Sequence, residues 1–110
     1  MIIPGQESFS LGAAEEAATV GVEGADHVIV QITGTWVATL TFEGSVDGIN
    51  WFATAVKNTS EVNANTLVTT RTTNGISTLN MIGLPYFRVR MSAWTSGQAQ
   101  LKIHVDRINK

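Results

Sequence analysis

The sequence predicts an all-β protein: a single antiparallel β-sandwich domain, jelly-roll-like, of about eight strands. Three observations carry this prediction. Apolar and polar residues alternate with the period of a half-buried strand along much of the chain. Gly, Asn, Asp and Pro interrupt these runs at intervals of about ten residues, the spacing of turns in a sandwich. Only residues 13–18 (AAEEAA) have a helix-like composition, and a helix that short is marginal in water.

Size and composition narrow the functional classes. The 110 residues fit one domain with a modest core. The chain is 44% hydrophobic and only 15% charged, which excludes disorder. Its Val, Ile and Thr content suits a pleated surface. A net charge of −2 gives no basic excess for nucleic acid. The absence of cysteine excludes a disulfide scaffold, a thiolate metal site and a cysteine nucleophile. Met1-Ile2-Ile3-Pro4-Gly5 lacks the features of a signal peptide, and no apolar run reaches membrane-spanning length. The expected context is the cytosol, with no membrane partner, as a soluble product or part of an assembly.

Residues 1–12 read as an N-terminal arm and 13–110 as the sandwich. Ile2 and Ile3 precede a Pro-Gly breaker, and either cover one end of the domain or dock on a neighbouring subunit. Residues 13–18 lead into a strand over 18–22, with a one-turn helix as the alternative, and 23–26 form a turn. Residues 27–33 alternate, with Val28, Val30 and Ile32 on one face, until Gly34 interrupts them. In the next strand Trp36, Ala38, Leu40 and Phe42 share a face. Val46-Asp47-Gly48 reads as a three-residue hairpin loop, which would bury Phe42 against Phe52 and Ala38 against Val56. That register leaves Trp51 opposite Glu43 on the other face, either covered by a second layer or exposed for a reason.

Residues 57–65 read as a polar loop and 66–73 as a threonine-rich strand near an edge. Asn74-Gly75 is a type I′ turn signal, followed by a strand over 76–81 and a breaker at Gly83-Leu84-Pro85. The last two strands, 86–93 and 98–107, read as a hairpin closed by Thr95-Ser96-Gly97. Its register pairs Phe87 with Val105, Val89 with Ile103 and Met91 with Leu101 on one apolar face. The other face then carries Arg88 opposite His104 and Arg90 opposite Lys102, near Tyr86. Like charges across a ladder are unfavourable, so something acidic should cover this stripe. Glu43, Glu61 or Asp106 would do so from within the chain; an acidic partner subunit or a sugar carboxylate would do so from outside; plain solvation is the remaining reading. Trp94, at a strand end, either plugs the sandwich or marks a contact surface.

Catalytic constellations are missing. His27 and His104 have no third ligand at a metal spacing, and Glu15-Glu16 diverge in any regular structure. The serines lack a nucleophile-elbow context, no glycine loop precedes a helix, and Asp47-Gly48 lacks the remaining ligands of a calcium loop. Neither an enzyme nor a cofactor or metal is expected.

The segment Gly34-Thr35-Trp36, Ala38-Thr39-Leu40-Thr41-Phe42-Glu43-Gly44-Ser45, Asp47-Gly48 and Asn50-Trp51, with Tyr86-Phe87-Arg88-Val89-Arg90 and Thr95-Ser96-Gly97, resembles small β-sandwich proteins of tailed bacteriophages. The resemblance covers about residues 27–107. It implies a virion protein of the head decoration (cement) type, or part of a head fibre or tail. The order of Ser45, Asp47, Gly48, Trp51, Tyr86, Arg88, Val89, Arg90 and Trp94 is also similar to discoidin-like jelly rolls, which bind sugars or lipids through loops at one end; this chain is shorter, has no cysteine and carries no long lead-in loops.

Two functional readings follow. In the first, the chain decorates a phage head, contacts the major capsid protein or other virion subunits through Ile2, Ile3, Arg88, Arg90, Lys102 and Trp94, and assembles as a homo-oligomer; a trimer suits local three-fold positions. In the second, it is a glycan-binding module for host-surface adhesion, with Trp51, Trp94 and Arg88 stacking on and hydrogen-bonding to carbohydrate. A tail or baseplate component is the remaining alternative.

Overall fold

The computed structural model describes residues 5–58, 67–80 and 84–106, so the expectations for Ile2, Ile3, Glu61 and Gly83 lie outside it. Its elements are strands: β1 Gln6–Leu11, β2 Ala17–Gly21, β3 His27–Ser45, β4 Phe52–Ala53, β5 Val56–Asn58, β6 Leu67–Val68, β7 Thr70–Arg71, β8 Gly75–Asn80 and β9 Tyr86–Asp106. All pairings among the described residues are antiparallel.

The fold is built on one long ribbon. β3 and β9 pair along nearly their whole length, from His27 opposite Asp106 to Ser45 opposite Tyr86. The start of β3 and the end of β9 form the middle of one layer, in the order β1-β9-β3-β8-β5-β6. The other halves form a second layer, with β2 beside β9 and with β4 and β7 beside β3. Both layers turn their alternate residues to one core. Val28, Val30, Ile32, Leu101 and Ile103 enter it from the first layer; Leu40, Phe42, Phe87, Val89 and Met91 enter it from the second. Phe42 and Phe87 stack at the centre, with ring centroids 6.3 Å apart and planes 11° apart.

The ribbon turns from one layer to the other around Gly34 (φ +102°) and Gly97 (φ +81°). The pairing slips between Val37 and Ala38 and again between Thr39 and Leu40. Bulges and positive-φ glycines bend a strand without ending it. A Cβ on Gly97 would strike the Thr35 carbonyl and lie 2.7 Å from the Trp36 Cα.

Residues 86–106 do not form a hairpin: Phe87 lies opposite Gly44, Met91 opposite Leu40 and Val105 opposite Val28. Alternation determines which face a residue takes, and the six apolar residues are indeed buried. It does not choose the partner strand, and the unbroken β3 offers a far longer ladder than self-pairing would. Gly34 likewise bends β3 instead of ending it. The first hairpin is real but shifted, with Glu43 opposite Ala53 and Gly44 opposite Phe52. Phe52 is therefore 72% exposed instead of buried. Val56 is buried, but in β5 opposite Val68, not against Ala38.

Gln6–Leu11, expected in the N-terminal arm, is a strand on the edge of the first layer. Asn74 does not take the positive φ that a type I′ turn requires. The turn is held by Arg71, which is buried and donates to the Thr73 carbonyl at 2.7 Å, the Asn74 carbonyl at 2.8 Å and Ser77 Oγ at 3.2 Å.

Candidate functional site

The two halves of the anticipated basic stripe lie in different layers. On the second layer Glu43 lies directly across the ladder from Arg88. Its carboxylate accepts from Arg88 Nε at 2.7 Å, Arg90 Nε at 3.1 Å and Arg90 Nη2 at 3.2 Å. Arg90 Nη1 also donates to Glu15 Oε2 at 2.8 Å. Glu15 reaches this position from a left-handed backbone (φ +72°), and its amide donates to the Met91 carbonyl. Burial pushes the Glu43 carboxyl up. The donors from Arg90 and Arg88 outweigh it and hold the group below the usual glutamate range. Glu43 raises Arg90 in turn. Glu43 was one of the three acids expected to cover the stripe. Arg88 and Arg90 are thus committed to partners inside the chain.

Trp51 belongs to the same cluster. Its ring lies against the Arg88 guanidinium, 4.3 Å from carbon to centroid, and is half-buried there. Trp94 lies six residues further along β9, about 20 Å of extended chain, and donates from Nε1 to the Gly97 carbonyl at 3.0 Å. Trp51 and Arg88 are therefore brought together, and Trp94 is not. Lys102 and His104 sit on the outer face of the first layer, paired with Gln31 and Ile29.

The feature that sequence reasoning missed is the loop at residues 46–51. Asp47 builds it. Asp47 Oδ1 accepts from the amides of Ile49 and Asn50, both at 2.8 Å, and from Ser45 Oγ at 3.0 Å. Asp47 Oδ2 accepts from Asn50 Nδ2 at 2.9 Å, and Ser45 Oγ accepts from the Gly48 amide at 2.8 Å. The Asn50 and Ile49 amides hold the Asp47 carboxyl far below its ordinary range. These hydrogen bonds fix the loop, yet it holds two apolar side chains in water, Val46 (76% exposed) and Ile49 (79%), and Phe52 just after it is 72% exposed. Tyr86 lies beneath Gly48, where an added Cβ would be 3.4 Å from the ring. Beside the loop is an open hollow of about 400 Å³ between Val46, Phe52, Thr54 and Leu84. The signal was present as Ser45-x-Asp47-x-x-Asn50, an Asx-type turn. A three-residue loop reading moved Phe52 into the core and hid it.

Among the described residues no group of three or more His, Asp or Glu could hold a metal. The loop thus holds apolar side chains in water beside an Arg–Glu–Trp cluster whose charges are paired within the chain.

No family model matches the sequence, and no curated protein matches it. Solved structures share its fold. The crystal structure of SPBc2 prophage-derived protein YomS is similar at a TM-score of 0.68 and 16% identity, over 96% of this chain and 99% of that one. PBSX exported protein XepA is similar at 0.69 and 17%, over 96% of this chain but only 40% of XepA. PirA is similar at 0.50 and 8%, over 96% of each chain. At these identities the likeness is one of fold.

Proposed function

We propose that this chain is a structural phage virion protein, specifically a capsid decoration protein that binds the outer head surface through the loop at residues 46–51 with the adjoining Phe52, and reinforces contacts between capsomers. The carrying observation is the rigid presentation of Val46, Ile49 and Phe52 to solvent. Burying such side chains contributes roughly 1.5–3 kcal/mol each before association costs. Pre-ordering by Asp47 keeps the entropic part of that cost small. Fold likeness to a prophage-derived protein of nearly the same extent supports the phage setting. The role is adhesive, not enzymatic, and its partner is the major capsid protein. Repetition over a symmetric shell multiplies a modest single-site affinity, and a homotrimer suits local three-fold positions.

The test is co-sedimentation of the purified protein with capsids that lack it. Binding is expected, with Ile49→Ser/Phe52→Ser weakening it at least about tenfold, the equivalent of one lost apolar anchor. Asp47→Ala, which removes no apolar side chain from the loop, weakens binding as well. No co-sedimentation, or binding indifferent to the double substitution, overturns the reading.

A further inference from the structure

The outer face of the first layer contrasts with the Glu43 cluster. Three strands place Gln6, His104 and Ile29 in one cross-strand row. The adjacent row carries Lys102, Gln31 and Ile76. These six residues line a shallow hollow of about 140 Å³. Ile29 and Ile76 are half-buried and give it apolar patches; Gln31 and Lys102 are exposed.

Among the described residues, no hydrogen bond or ion pair engages the side chains of Gln6, Gln31, Lys102 or His104. Arg88 and Arg90 are neutralised within the chain. By contrast, no described carboxylate pairs with Lys102 or His104. Asp106, further along β9, faces His27 at 3.8 Å. A chain of net charge −2 thus keeps a cation, an imidazole and two amides converging on one hollow.

We infer that this hollow binds an acidic saccharide, with one uronate residue of a polysaccharide as its unit. Lys102 takes the carboxylate in a charge-assisted hydrogen bond. Gln6 and Gln31 each offer a donor and an acceptor, the complement of neighbouring ring hydroxyls. Ile29 and Ile76 lie under the C–H face of the pyranose. The hollow has the size of a single sugar ring and opens onto the sheet face, which leaves room for neighbouring rings of a chain. An acidic protein surface would satisfy Lys102 but would leave the paired amides and the ring-sized hollow without a purpose. The inference stands apart from the apolar loop, which lies in the connection after the other end of β3.

The experiment is an NMR titration of the whole protein with trigalacturonate, with neutral galactotriose and a glutamate trimer as parallel arms. Amide shifts confined to Gln6, Ile29, Gln31, Ile76, Lys102 and His104 are expected with trigalacturonate. Lys102→Gln should weaken that binding at least about tenfold, the scale of one charge-assisted hydrogen bond. Gln31→Ala should weaken it less. Both positions are exposed on a sheet face, and unchanged spectra elsewhere verify folding. No shifts up to about 20 mM trigalacturonate, a limit far weaker than useful binding, overturn the inference. So do shifts centred on the loop at 46–51, an equal response to galactotriose, or an equal response to the glutamate trimer, which would assign the face to acidic protein.

Discussion

Glu43 sits almost out of solvent under two guanidinium groups, and its removal should cost more than its contacts suggest. Glu43→Gln keeps the shape but leaves Arg88 and Arg90 partly buried without their shared counter-ion. The expected loss is about 2 kcal/mol, because an uncompensated charge is worse than an absent pair. Urea unfolding at pH 7 measures it. The pH dependence has a definite sign. Glu43 has a folded pKa below its unfolded value, so its contribution is complete above the ordinary glutamate range, near pH ~4.3, and is lost as pH falls through the folded value. The gap between the natural chain and Glu43→Gln should therefore shrink at about pH 3. Asp47 titrates in the same direction in both proteins and cancels from the difference. A gap that widens in acid would contradict the ion-pair assignment.

At the scale of elements, Phe42 and Phe52 provide an internal contrast. They are two phenylalanines of one β-hairpin, and the sequence register treats them as equals. In the structure Phe42 is fully buried against Phe87, and Phe52 is mostly in water. Phe42→Ala should cost about 3–5 kcal/mol. Phe52→Ser should change stability by no more than about 0.5 kcal/mol. Thermal or urea unfolding of the two variants distinguishes the registers, since burial of both rings would make the losses alike. Gly97 is the second case at this scale. Its positive φ and its closeness to the Thr35 carbonyl leave no place for a Cβ. Gly97→Ala should cost about 2 kcal/mol, as strain at the bend of the ribbon. Were Gly97 the tip of a solvent-exposed hairpin, only the φ penalty would remain.

These two places also mark what could be read from the sequence. The faces of Val28, Val30, Ile32, Phe87, Val89, Met91, Leu101 and Ile103 were legible, because side-chain direction in a strand is a local property. The partner of residues 86–106 was not, because the choice between self-pairing and pairing with β3 depends on a ladder formed between segments about sixty residues apart in the chain. Gly97 signals a positive φ equally in a turn and in a bend. The Glu43 contact to Arg88 and Arg90 was legible as a charge requirement. The loop at 46–51 was signalled by Ser45-x-Asp47-x-x-Asn50, but a three-residue hairpin fits the same local pattern, and only the pairing of Gly44 with Phe52 decides between them.

For the whole molecule, the consequence of a shared ribbon is cooperativity. In a sandwich whose layers exchange only side-chain contacts, one layer can loosen while the other persists. Here β3 and β9 each run through both layers, and five of the other seven described strands are hydrogen-bonded to one of them. Separating the strands of one layer removes the scaffold on which the other is ordered. The protein should therefore unfold in one step. The tryptophans report from separate places: Trp36 and Trp94 near the bend, Trp51 over Arg88. Far-UV circular dichroism reports the strands as a whole. Urea transitions followed by tryptophan fluorescence and by circular dichroism should coincide in midpoint and slope. Gly97→Ala should move both curves together, because the bend belongs to both layers. A fluorescence transition that precedes the loss of strand signal would mean that the layers unfold separately and that the ribbon does not couple them.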